Sequence, residues 1–104
     1  MHKDIADKSD ALAALCRRFG VIRLEVFGSA ARITGFDRNT SDIDFLVSFA
    51  PAARDDIIAF SDFKQALERL LLRPVDLIDR EAIENSRNFI RRRAILREAE
   101  TVYG

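Results

Sequence analysis

The chain has 104 residues, 48% hydrophobic and 33% charged, with 17 Lys and Arg against 17 Asp and Glu. A chain of this length buries roughly 60–68% of its unfolded surface, enough for one core and not for a second lobe, so residues 1–104 are expected to form one domain that needs another molecule to hold part of any large substrate. Balanced charge argues against duplex nucleic acid as the main partner, and one Cys with one His excludes an intramolecular disulfide and a zinc site of the usual ligand count.

The polar, mixed-charge start Met1-His2-Lys3-Asp4 is not a signal core. No stretch approaches the roughly 18 apolar residues of a membrane span. The expectation is a cytoplasmic protein with no membrane contact. Ser9 can cap a helix whose Leu12, Leu15, Cys16 and Phe19 recur at helical spacing, with Gly20 as its stop. Ile22, Leu24 and Val26 alternate with Arg23 and Glu25, a strand with one buried face that runs into Phe27-Gly28-Ser29-Ala30-Ala31-Arg32. Residues 33–41 have loop composition, and Asp42-Ile43-Asp44-Phe45-Leu46-Val47 reads as a second strand that ends before Pro51.

From about Asp55 to Leu72, Phe60, Phe63, Leu67, Leu70 and Leu71 mark an amphipathic helix closed by Pro74. Val75-Asp76-Leu77-Ile78 is a third strand. The remainder from Glu81 reads as helical, with a break near Asn85-Ser86 and a last helix that carries Phe89, Ile95, Leu96, Ala99, Val102 and Tyr103 on one face and Arg92 in its middle. Arg92 can snorkel toward a cleft or an acidic partner, or simply be solvated. Strands interleaved with helices predict an α/β (α+β) fold, a small mixed sheet of three or four strands flanked by helices.

Three aspartates inside otherwise apolar strands require a reason, because an unpaired buried charge is costly. Asp42 and Asp44 point to the same side, about 6.6 Å apart along the strand, and Asp76 can join them if its strand lies alongside at about 4.8 Å. Clustered carboxylates repel unless cations hold them. Hard divalent ions such as Mg²⁺ take carboxylate and phosphate oxygens, and a two-ion site suits the spacing. Gly28 and Ser29, at a strand-to-helix turn, can cradle phosphate with backbone amides and the Ser29 hydroxyl. Asp42 can also be a strand cap, Asp76 a solvated edge residue and Gly28-Ser29 an ordinary turn.

The elements Phe27-Gly28-Ser29-Ala30-Ala31-Arg32, Ser41-Asp42-Ile43-Asp44-Phe45-Leu46-Val47 and Val75-Asp76-Leu77-Ile78, in this order, resemble the minimal nucleotidyltransferases of the DNA polymerase β-like superfamily over residues 20–103. The resemblance implies that Gly28 and Ser29 hold a nucleoside triphosphate. It also implies that Asp42 and Asp44 bind two Mg²⁺, and that Asp76 completes the metal site and assists deprotonation of an acceptor hydroxyl. Arg32 either touches a phosphate or pairs with an acid. Twelve residues separate Ser29 from Asp42, more than is usual in the family, and the excess falls in the polar loop 33–41, where insertion costs little.

The activity so implied is Mg²⁺-dependent transfer of a nucleoside monophosphate, AMP from ATP, to a hydroxyl. Stand-alone members are often antitoxins that adenylylate a tyrosine of a helical HEPN-type RNase. The same core can also serve as the catalytic subunit of a small-molecule or antibiotic nucleotidyltransferase, or as a non-catalytic nucleotide-binding antitoxin. Cys16 is expected in the core. Asp37, in the loop, and Asp79, on the strand face opposite Asp76, are expected to be non-catalytic.

Overall fold

The structure is a computed structural model that describes residues 3–28 and 42–104. Ser29, Arg32, Asp37 and the loop 33–41 lie outside the described residues. A short helix α1 (Lys3–Ala6) leads into α2 (Ser9–Arg18), strand β1 (Val21–Phe27) and strand β2 (Ile43–Phe49). Helix α3 (Ile57–Leu71), strand β3 (Val75–Asp79), helices α4 (Arg80–Glu84) and α5 (Phe89–Glu98) and strand β4 (Glu100–Tyr103) complete the order. The sheet runs β3-β2-β1-β4, with β2 and β3 parallel and the other neighbours antiparallel. This is the mixed sheet flanked by helices that the periodicity predicts.

The main core lies on one face of the sheet. Leu12 and Cys16 of α2 and Phe63, Leu67 and Leu71 of α3 pack there against Leu24, Val26, Phe45 and Val47. Spacings of three and four residues place these side chains on one helical stripe, which is why both segments fold as helices on this face. Burial pushes the Cys16 thiol up to about 12, Arg17 opposing weakly, so the side chain is an inert core filler. Helix α2 begins at Ser9 with Lys8 as its N-cap and no side-chain cap bond. Instead α1 inserts Ile5 into the core, and Lys8 Nζ donates to the Leu70 carbonyl at 2.7 Å, tying the two helix ends together. Asp56 accepts from the Ala59 amide at 3.0 Å to start α3, and Leu72, left-handed at φ 57°, ends it ahead of Pro74.

Two readings of the periodicity are corrected. Simple alternation in β1 assigns Ile22 to the core, whereas it is 56% exposed and Val21 is buried in its place. A bulge between Val21 and Arg23 inserts one residue and inverts the pattern. Beyond it both faces of β1 are covered, so Leu24, Glu25, Val26 and Phe27 are all buried. The predicted last helix is also too long. It stops at Glu98, and residues Glu100–Tyr103 add a fourth strand to β1. An open strand edge offers unpaired amides and carbonyls, and Thr101, Val102 and Tyr103 favour pleated backbone over a helical end.

A smaller cluster covers the second face, where Ile83 of α4 and Ile95 of α5 pack on Phe27 and Leu46. Among the described residues Arg92 pairs with no acid. Its Nη1 donates to the Ser86 carbonyl at 3.0 Å and braces the turn before α5.

Candidate active site

The antiparallel β1–β2 pairing sets Phe27 opposite Asp44, and the parallel β2–β3 pairing sets Asp44 opposite Asp76. Cross-strand partners share a face, so Phe27, Asp44 and Asp76 form one row across three strands. The next row inward is Glu25, Leu46 and Ile78. The carboxylates therefore stand where three strand ends meet, in front of the small apolar cluster on Leu46. Asp42 immediately precedes β2 and is exposed, Asp76 is exposed, and Asp44 is half-buried.

This arrangement raises the Asp44 pKa above its ordinary value. Burial contributes most, followed by the charges of Asp76 and then Asp42. Both other aspartates thus act electrostatically on Asp44. Among the described residues no group of three or more His, Cys, Asp or Glu side chains is placed to hold a metal ion by itself. Mg²⁺ does not need such a cage, since it is commonly held by one or two carboxylates, with substrate phosphates and waters supplying the rest. An all-oxygen donor set whose negative charges disfavour one another fits a hard divalent cation.

Gly28 turns the chain away from β1 directly against this row. Its φ is +72°, and a Cβ at that position would lie 2.7 Å from Asp44 Oδ2. Glycine is required twice over, for the left-handed backbone and for the close approach to the carboxylate. Gly28→Ala is expected to destabilise the fold by about 1–2 kcal/mol through the left-handed conformation. It should also rotate the Asp44 carboxylate and weaken nucleotide binding. Thermal melts with and without nucleotide check both effects, and an alanine variant with unchanged affinity would refute the packing argument. Ser29 and Arg32, the other residues predicted for the phosphate cradle, are outside the described region, so the geometry here concerns Gly28, Asp42, Asp44 and Asp76.

Asp79 sits at the far end of β3 and accepts from the Glu81 amide at 3.1 Å as the N-cap of α4. Alternation alone does not reveal what happens behind the acidic row. Glu25 is 2% exposed, hydrogen-bonded to Arg80 Nη1 and 3.4 Å from Arg23 Nε. Arg80 also lies 3.8 Å from Glu84. The only trace of this in the sequence is a glutamate in a strand that becomes buried on both faces. Its role is to anchor α4 to β1 and so support the row that carries Asp44.

Comparison with known proteins identifies a family for the chain. The family described as nucleotidyltransferase domain matches residues 8–99. Among solved structures, one described as a minimal nucleotidyltransferase is 35% identical, with a TM-score of 0.71 over 91% of this chain and 89% of that one. A toxin–antitoxin complex with AMP-PNP contains a chain of the same fold, 24% identical, with a TM-score of 0.65 over 92% of this chain and 73% of that one. A tri-AMPylated Shewanella oneidensis HEPN toxin in complex with its MNT antitoxin provides another likeness of fold, 21% identical, with a TM-score of 0.62 over 96% and 72% of the two chains. No curated protein matches significantly. With nearly nine-tenths of its length matched, the chain belongs to the nucleotidyltransferase domain family.

Proposed function

We propose that this nucleotidyltransferase is a protein adenylyltransferase that moves AMP from ATP to a hydroxyl of a helical partner, a HEPN-type toxin for which it serves as antitoxin. The observation that carries the reading is the row in which Asp44 lies between the Phe27–Gly28 turn and Asp76 in parallel register. A solved complex of the same fold supports the choice of partner, since it pairs an MNT antitoxin with a tri-AMPylated HEPN toxin. No helix among the described residues is long and apolar enough to cross a membrane, which is compatible with a cytoplasmic partner.

In this reading Gly28 lets the backbone approach the triphosphate, with Ser29 and Arg32 as further phosphate ligands. Asp42, Asp44 and Asp76 would hold Mg²⁺, which when bound neutralises phosphate charge and lowers the pKa of coordinated oxygen. Asp76, on the exposed side of the row, accepts the proton of the acceptor hydroxyl. The acceptor oxygen then bonds to the α-phosphorus as the bond from that phosphorus to the β-phosphate bridging oxygen breaks, releasing pyrophosphate. The chain's own contribution is positioning and fixed charge, the main resources of phosphoryl-type transfer.

The test incubates the protein with ATP labelled at the α-phosphate, Mg²⁺ and the helical protein encoded beside it. Label is expected on the partner, and it should vanish with chelator or with Asp42→Asn plus Asp44→Asn. A stable complex without label would replace this reading with a purely binding antitoxin. Label on a small hydroxylated molecule, and none on protein, would move the acceptor to that class.

A further inference from the structure

Helix α5 packs poorly for its length. Of its ten residues only Ile95 is buried, while Phe89 and Ile90 are 63% and 71% exposed. Solvated helices commonly intersperse both signs of charge on the exposed face, yet Arg87, Arg91, Arg92, Arg93 and Arg97 have no acid between them. Among the described residues, Arg87, Arg91, Arg93 and Arg97 have no ion-pair partner.

Phe89, Arg93 and Arg97 recur every four residues and so form one stripe. An open groove of about 760 Å³ flanks the stripe on the Arg92 and Leu96 side, and a smaller apolar one of about 250 Å³ lies on the Ile90 and Ala94 side. Exposed aromatic and arginine side chains beside an apolar groove match the composition of protein interfaces.

We propose that the Phe89–Arg93–Arg97 stripe is the docking surface for an acidic, apolar-faced helix of a partner protein. Charge complementarity specifies the acids, and the apolar groove on the Ile90 and Ala94 side specifies the apolar face. Balanced charge over the whole chain and the apolar character of the second groove favour protein over RNA. The stripe spans about 12 Å. Its C-terminal end leads through Ala99 to β4, where Glu100 pairs with Val26 beside the Phe27–Gly28 corner. A helix lying along it is therefore directed toward the carboxylate row. That the docked partner is also the acceptor rests on the function proposed above; the docking itself does not.

The probe is a fluorescent helical peptide of about 20 residues with a leucine face and glutamates elsewhere, titrated into nucleotide-free protein and followed by anisotropy. Binding is expected, weakening as salt rises, and the same peptide with lysine in place of glutamate should not bind. Arg93→Glu plus Arg97→Glu, and separately Phe89→Ser, should each weaken binding roughly tenfold or more. Arg17→Glu plus Lys64→Glu, on a different surface, should leave it unchanged. Circular dichroism confirms that each variant is folded.

Equal binding by the Arg93/Arg97 variant, or equal loss with the Arg17/Lys64 variant, would overturn the proposal. So would an oligouridylate that binds wild type more tightly than the peptide and loses affinity with the same arginines, or self-association through this helix that excludes the peptide. Because no nucleotide is present, loss of AMP transfer with peptide binding intact would count against the catalytic reading alone.

Discussion

Replacing Arg80 by alanine should destabilise the protein by about 3 kcal/mol, because removing one member of a buried ion pair strands the other charge out of water. Among the described residues Glu25, with its side chain 3% exposed, would keep only Arg23, which is itself nearly half-exposed. Retention of Arg23 places the expected loss at the lower end of the range for broken buried pairs, about 3–5 kcal/mol. For a chain near 100 residues this corresponds to a fall in Tm of roughly 12–24 °C. The double variant Glu25→Leu plus Arg80→Met removes both charges and should recover most of the loss, since apolar replacements of buried pairs are often nearly neutral. Denaturant titration of the single and double variants measures the difference. An Arg80→Ala variant within about 1 kcal/mol of wild type would show that the pair behaves as a solvated one.

Asp44→Asn should separate activity from stability in the opposite direction. The amide retains the shape of the carboxyl while removing a charge that burial, Asp76 and Asp42 all disfavour. Transfer should fall at least about 100-fold, the scale of losing one charge-stabilising group at a reacting centre. Without metal, Tm should not fall and at neutral pH should rise. The sign follows from the raised folded-state pKa. Ionised Asp44 burdens the folded state at any pH above that value, and the burden disappears as pH falls through the window between it and the ordinary aspartate value, where the carboxyl becomes protonated in both states. The stabilisation by Asn should therefore be full at neutral pH and vanish in acid. Melting curves of both proteins across that range read it directly, and a variant less stable than wild type at pH 7 would mean that Asp44 is a structural residue.

Neighbouring acids on one sheet face are expected to behave differently because their surroundings differ. Glu25 has guanidinium partners and supports the fold, whereas Asp44 has a glycine turn and two more acids beside it. Natural proteins tolerate such local repulsion where a ligand later compensates for it. The Phe27–Asp44–Asp76 row fits that description, and Gly28→Ala tests the same corner from the backbone side.

Much of the architecture was readable from periodicity, because local steric rules act within a few residues. Leu12 with Cys16, and Phe63 with Leu67 and Leu71, specify helical stripes, while the alternation of Ile43, Phe45 and Val47 specifies a strand side facing the main core. The same alternation assigns Asp42 and Asp44 to the other side. What local pattern could not decide was which strands become neighbours and in what register. The β2–β3 register that brings Asp76 to Asp44, the bulge that expels Ile22, the pairing that makes Glu100–Tyr103 a strand, and the burial of Glu25 with Arg80 all depend on contacts between segments far apart in the chain. One residue of slip exchanges the two faces of a strand. Only the packed sheet, with helices on both sides, selects the register that satisfies the backbone and buries both apolar clusters at once.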